Sequence, residues 1–520
     1  MIDVKAIGKG LIEKINAVQE SSDERVCGRI VYSGDGVVRI SGLNDARYNE
    51  LLQVHGGYYA LALNLEEKEV GAVLFSGEDK VRYGDLVYST GQTVQMPVGE
   101  AMLGRIVDPL GKPIDGLDAI ETSETRPVEF PAPAIMDRGK VNKPLQTGIL
   151  AIDSMIPIGR GQRELIIGDR QTGKTAIAVD TILNQKGEDV ICIYVSIGQK
   201  ASSLAKTVNT LRNGGAMDYT CIVCSTADDS VPMQYIAPYS GCALAEYFMY
   251  QGKDVLIVYD DLSKHAVAYR TMSLLLKRPA GREAYPGDVF YLHSRLLERA
   301  AKLSEEKGGG SITALPIVET LAGDISAYIP TNVISITDGQ IYLESELFNS
   351  GVRPAVNVGL SVSRVGGSAQ RPAIRQISGQ LRVNLAQYRE LAIFMQFGSD
   401  LDAETQKALS RGAKMTDTLK QRQYLNYSVR DMIVLLVVSQ SDLVDRIPEK
   451  KMLAYNDGLL NFIRINHADL YGQICPDEKI SDELRDQIVS VASEYVDCVI
   501  GDDRPAGRGL PEQAEAAAEG

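Results

Sequence analysis

The chain has 520 residues, 44% of them apolar, which favours about three domains with large cores and excludes a largely disordered protein. A net charge of −14 argues against a chain whose main work is gripping nucleic-acid phosphates with clustered Lys and Arg. The N-terminus shows no apolar signal segment, and the longest apolar run, Met432 to Val438, is far short of the roughly 20 residues a spanning helix needs, so no transmembrane segment is expected.

In chain order, residues 1–23 hold an amphipathic helical segment, with Ile7, Leu11, Ile12, Ile15 and Val18 at near-helical spacing. From 24 to 93, short alternating segments are split by the turn signals Gly34-Asp35-Gly36 and Gly56-Gly57, which predicts a small β-barrel or sandwich. Residues 94–370 alternate apolar strands with helices. Strands are expected at Leu165 to Ile167, Val190 to Val195, Cys221 to Cys224, Val255 to Tyr259 and Ile312 to Pro316. Helices are expected at Met233 to Tyr250 and Ser294 to Leu303. Near-continuous apolar strands joined by helices predict an α/β domain with a parallel sheet covered on both faces. Val333 to Thr337, the Asp338-Gly339 turn and Gln340 to Leu343 read as a late hairpin. Helical periodicity dominates 371–505, and the tail over 506–520, Ala/Glu-rich from Pro511 to Gly520, reads as disordered.

Seven scattered cysteines read as buried thiols in a reducing compartment. Cys221 and Cys224 form C-x-x-C, but within a strand pattern and with no second pair or histidine cluster to complete a metal set.

The most specific signal is Gly168-Asp169-Arg170-Gln171-Thr172-Gly173-Lys174-Thr175, a complete G-x-x-x-x-G-K-[ST] loop leaving a strand and entering a helix. Gly168 and Gly173 permit a tight turn whose N–H groups face inward, and the helix N-terminus adds positive potential. Lys174 supplies charge for β- and γ-phosphates, and Thr175 a hydroxyl ligand for magnesium. Downstream, the apolar run Val255 to Tyr259 delivers Asp260 and Asp261. Asp260 fits the acid that holds magnesium through its water shell. Its plainer reading is a helix cap, a role that suits Asp261 better. In many ATPases with this sheet a carboxylate near the loop prepares the attacking water. The corresponding segment here ends in Gln199, whose neutral amide can orient water but cannot take its proton.

Arg160 to Thr175, Tyr259 to Lys264 and Pro354 to Gly366 together resemble the alpha subunit of F-type ATP synthases, over about residues 25 to 500. Arg170-Gln171-Thr172 and Gln199 distinguish that subunit from the homologous beta subunit. The resemblance implies a β-barrel crown, a RecA-like nucleotide domain and a helical C-terminal domain. It implies a non-catalytic pocket for ATP or ADP with magnesium, and a ring of three alphas alternating with three betas around a gamma central stalk. A delta-type stator subunit and, indirectly, the membrane sector complete the partners, with no nucleic acid. The location implied is peripheral, on the cytoplasmic face of the cell membrane. Met1 to Arg25 lacks the Arg-Pro-Glu-Glu opening common in the family.

The same resemblance makes Arg364 an arginine finger reaching the beta subunit's catalytic site, with Ser361 shaping that interface; from residues alone, an interfacial ion pair is the simpler reading. It also makes Arg353, Pro354, Gln421 and Gln423 the frame of the adenine, with Phe348 nearby. A self-sufficient hexameric RecA-like motor, such as a secretion ATPase or RNA helicase, is the alternative, and the neutral Gln199 and the acidic net charge disfavour it.

Overall fold

The computed structural model describes residues 26–395, 403–448 and 451–501. The expected helix of residues 1–23 and the expected disorder of 506–520 lie outside the described residues. The chain divides into two compact units. The first holds residues 1–147, 156–348 and 355–369; the second holds 148–155, 349–354 and 370–520.

In the first unit, six strands close into a barrel: β1 (Cys27–Gly34), β2 (Val37–Ser41), β3 (Glu50–Val54), β4 (Tyr58–Leu65), β5 (Glu69–Leu74) and β6 (Leu86–Thr93). Alternation fills the interior: Val38 and Ile40, Leu52 and Val54, Ala60 and Ala62 all belong to one buried cluster. Asp35 and Gly36, with φ of 52° and 75°, make the tight β1–β2 turn. Arg278 joins the barrel to the α/β layer, donating to the Leu63 carbonyl at 2.7 Å and to Asn64 Oδ1 at 2.9 Å.

Beyond the barrel, that unit is built on an eight-stranded sheet. Its strands are β7 (Ile106–Val107), β8 (Leu165–Gly168), β9 (Val190–Gln199), β10 (Thr220–Thr226), β11 (Asp254–Asp260), β12 (Ser311–Glu319), β13 (Gly339–Leu343) and β14 (Val362–Ser363). The order is β14-β13-β8-β12-β11-β9-β10-β7, parallel throughout except for the antiparallel edge strand β14. Its central strands are buried along almost their whole length, as their unbroken apolar composition requires. The helices include α1 (Lys174–Leu183), α2 (Ala201–Asn213), α3 (Val231–Tyr250), α4 (Leu262–Leu275), α5 (Val289–Leu297) and α6 (Tyr328–Ile336). Helix α3 sits so close to the sheet that a Cβ at Gly241 would lie 2.4 Å from Val195 Cγ2.

Three sequence expectations are corrected. The expected first arm of the late hairpin is helix α6, and β13 pairs parallel with β8. The β-branched run suggested a strand. The stronger signal was the buried set Ile329, Val333 and Ile336, at spacings of four and three, with Pro330 in the first turn, where it costs nothing. The helix expected over Ser294 to Leu303 begins at Val289 and ends at Leu297. Beyond it Lys302 bridges Ser311, as the Gly308–Gly310 turn leads the chain into β12. The cysteines also divide: Cys192, Cys221, Cys224 and Cys242 are buried, whereas Cys27, Cys475 and Cys498 are exposed.

The second unit is helical, with α7 (Pro372–Met395), α8 (Ala403–Thr418), α9 (Val429–Ser439), α10 (Met452–Asn466), α11 (Ala468–Gln473) and α12 (Asp482–Gly501). The longest apolar run of the chain becomes α9, buried from Asp431 to Ser439. Ser428 and Asp431 close its N-terminus with a capping box, and buried Asp431 also accepts from Tyr471 and Arg464. No helix of the described residues is long and apolar enough to cross a membrane.

Candidate nucleotide site

Strand β8 ends where a side chain has no room: a Cβ on Gly168 would lie 2.5 Å from the Leu343 carbonyl oxygen. The chain then turns through Gln171 and Gly173, with φ of 62° and 96°, and Gly173 becomes the N-cap of α1. The loop is braced from within. Thr172 Oγ1 donates to the Asp169 carbonyl at 2.8 Å, and the Asp169 carboxylate accepts from Thr320 Oγ1 at 2.7 Å, Gly323 N at 2.8 Å and Ser345 Oγ at 2.9 Å. Burial opposes ionisation of Asp169, but these donors outweigh it and hold the group below the usual carboxylate range. Lys174 Nζ donates to the carbonyls of Gly168, at 2.8 Å, and Asp169. Burial pulls Lys174 below the usual lysine range, while Glu319, Asp261, Asp260 and Asp169 push the other way.

The acid from β11 arrives where expected. Thr175 Oγ1 donates to Asp260 Oδ2 at 2.8 Å, and buried Tyr194 donates to the same oxygen at 2.7 Å. Burial raises the pKa of Asp260 and the charge of Asp261 adds to it, so a cation at this carboxylate would relieve a desolvated charge. Asp261 takes the cap role: Lys264 N donates to it at 2.8 Å. The oxygen-only pair of Thr175 and Asp260 suits magnesium, which takes a few protein oxygens and completes its shell with phosphates and waters.

Gln199 stands at the end of β9, and its Nε2 donates to the Asp260 carbonyl at 3.3 Å. Its strand follows the loop in chain order, yet β12 and β11 lie between β9 and β8 in the sheet. The strand adjoining β8 on that side is β12, and it ends in Glu319, which the sequence reading passed over. Glu319 Oε1 pairs with Arg170 Nε at 2.9 Å, while the Arg170 side chain is 78% exposed. The signal for Glu319 was the one that found Asp260, an acid closing an apolar strand; ending the run at Pro316 hid it.

Arg364 lies elsewhere. Its backbone N–H donates to the Asp338 carbonyl at 2.8 Å, just past β14 at the sheet edge. Gly339 pairs with Ser363 across β13 and β14, and Leu165 pairs with Gln340 across β8 and β13. Arg364 therefore leaves the sheet at the start of β8, and the phosphate loop leaves from its end. The four residues of β8 separate those ends by about 13 Å. The Arg364 side chain is exposed, and no described residue forms a hydrogen bond or ion pair with its guanidinium. Ser361 is buried, its hydroxyl donating to the Asn357 carbonyl at 2.6 Å and accepting from Tyr342 N at 2.9 Å.

The expected adenine residues Arg353, Pro354, Gln421 and Gln423 all belong to the second unit, and Phe348 to the first. Gln421 N donates to the Arg353 carbonyl at 2.9 Å. The Gln421 amide is committed within its unit: Nε2 donates to the carbonyls of Gly148 and Leu425, each at 2.7 Å, and Oε1 accepts from Leu150 N at 3.0 Å. Gln423 is exposed.

Comparison with known proteins agrees along the chain. Residues 23–91 match the ATP synthase alpha/beta family, beta-barrel domain. Residues 148–363 match that family's nucleotide-binding domain, and 370–495 the ATP synthase alpha/beta chain, C terminal domain. The ATP synthase subunit alpha of Acetivibrio thermocellus is 59% identical over 496 residues, covering 95% of this chain and 97% of the relative. Proteins of the same name from Clostridium botulinum and Clostridium acetobutylicum are 58% and 59% identical over 493 residues, with the same coverage. With a barrel, a phosphate-loop sheet and a helical region in this order, and relatives this similar over nearly the full length, the chain belongs to the ATP synthase alpha-subunit family.

Proposed function

We propose that the chain is the nucleotide-binding, non-catalytic subunit of a membrane-associated rotary ATP synthase, and that it lends Arg364 to the catalytic site of a neighbouring beta subunit. Gly168 to Thr175 hold the phosphates of ATP or ADP, and Thr175 and Asp260 hold magnesium, the latter partly through water. When bound, the magnesium neutralises phosphate charge. The chain's own residues bind and orient: Lys174 carries the cation toward the terminal phosphates, Gln199 positions water without taking its proton, and Glu319 is committed to Arg170. Arg353, Pro354, Gln421 and Gln423 frame the base. The chain alternates with beta subunits around a gamma stalk, is tied to a delta-type stator subunit, and lies at the cytoplasmic face of the cell membrane, where the complex couples ATP turnover to ion movement.

The observation that carries this reading is the position of Arg364, an exposed guanidinium at the end of β8 opposite its own phosphate loop. A permanently charged planar group so placed can serve a phosphate on another chain. The test uses the isolated chain and the assembled complex. The isolated chain should bind Mg-ATP and hydrolyse it negligibly; brisk turnover would instead favour a self-sufficient hexameric motor.

A further inference from the structure

Strands β9 and β11 run side by side, with Tyr194 level with Val258 and Ser196 level with Asp260. Side chains alternate between the two faces of a strand. Helix α3 lies on the face that carries Ile193, Val195 and Ile257: a Cβ at Gly241 would come within 3.7 Å of all three. Tyr194, Ser196 and Asp260 therefore share the opposite face. Asp260 stands two residues beyond Tyr194, about 6.6 Å along the strands. The tyrosine ring spans that step, and its hydroxyl donates to Asp260 Oδ2 at 2.7 Å. Thr175 Oγ1, from the first turn of α1, donates to the same oxygen at 2.8 Å. Tyr194 and Asp260 are each 2% exposed.

Two hydroxyls from different elements thus meet one carboxylate oxygen. Among the described residues, none makes a hydrogen bond or ion pair with Oδ1. Two donors on Oδ2 fix the carboxylate about its rotatable bonds, and bonds to an ionised acceptor are the stronger kind. A buried phenol does not need such an acceptor. Tyr239, also buried, is answered by a backbone carbonyl, that of Leu292, at 2.7 Å. Sharing Oδ2 between two donors spends part of its charge, which would weaken a cation held there. Oδ1 is spared that loss, so orientation outweighs it.

We propose that Tyr194 is a positioning residue for the magnesium site: with Thr175 it holds Asp260 by Oδ2 and leaves Oδ1 available to the metal or one of its waters. This rests on the reading of Thr175 and Asp260 as the residues that hold magnesium. Tyr194 acts through the carboxylate, as partners outside the ligand shell orient metal ligands elsewhere.

The experiment uses the isolated full-length chain, with ATP titrated by calorimetry in excess magnesium and again in EDTA. The readout is the ratio of the two affinities, which a merely structural role would leave alone. Tyr194→Phe keeps the ring and removes the hydroxyl. It should lower that ratio about tenfold while affinity in EDTA stays within roughly twofold. Asp260→Asn, run in parallel, should lose most of the gain from magnesium. If Asp260→Asn keeps the wild-type ratio, the magnesium reading fails. If Asp260→Asn loses it but Tyr194→Phe keeps or raises it, the site stands and the role of Tyr194 is overturned. Equal losses with and without magnesium would overturn it too, in favour of a packing role. Should Tyr194→Phe not fold, Tyr194→Met, which also lacks the donor, decides by the same ratio: a fall supports the proposal, and the wild-type value overturns it.

Discussion

The two ends of β8 are built on opposite principles. At its C-terminal end four loop residues are answered from within the chain: Lys174 by two carbonyls, Thr175 by Asp260, Asp169 by three donors, Arg170 by Glu319. At its N-terminal end the buried carboxyl of Glu164 is left half-satisfied, and an exposed arginine has no ion-pair partner among the described residues. A braced loop keeps its backbone turn in place for a ligand. An unanswered charge is suited to a partner supplied by another molecule.

The comparison breaks first at Arg364. Arg364→Lys keeps the charge but loses the planar fork, and should lower ATPase of the assembled complex by about 10³-fold or more. Nucleotide affinity at the chain's own site should stay within twofold. If both fall together, the two ends are not independent. The reciprocal change is Lys174→Gln, which removes a charged donor worth roughly 1.5–3 kcal/mol. Titration of the isolated chain with Mg-ATP should show affinity reduced about 10- to 100-fold, while the complex retains most of its catalytic rate.

Glycine substitutions sharpen the same contrast. Gly168→Ala and Gly339→Ala both force a Cβ to within 2.5 Å of a carbonyl oxygen, and overpacking of this kind costs about 1–3 kcal/mol. Calorimetry should find similar losses of stability for the two. Function should separate them: Gly168→Ala weakens nucleotide binding by the isolated chain, and Gly339→Ala lowers the kcat of the complex. The smallest effect is expected for Glu319→Gln. Its partner Arg170 is mostly exposed, and such pairs contribute about 0–1 kcal/mol, so Mg-ATP affinity should change no more than about fivefold.

Much of this was legible in the residues. The phosphate loop, Asp260 at a strand end, Asp261 as a cap and the short barrel strands each carry a local signal, and local signals survive tertiary packing. What was hidden depends on which strands become neighbours. The β-branched run near Val333 misled because period alone does not separate a short buried helix from a strand, and only the burial of Ile329, Val333 and Ile336 decides it. That β12 and β11 lie between the strand of Gln199 and the strand of the loop, and that the strand beside the loop ends in Glu319, is visible only in the sheet order. Glu164 carries no local signal in the sequence. Its place in a row with Gly339 and Ser363 is a matter of register across elements far apart in sequence.

The central claim is that Arg364 works on a phosphate its own chain does not hold. The most direct test is a structure of the assembled complex with Mg-nucleotide in the neighbouring cleft. The account predicts the Arg364 guanidinium within hydrogen-bond distance, about 3 Å, of that nucleotide's phosphate oxygens. A guanidinium turned away from every occupied neighbouring cleft would contradict it.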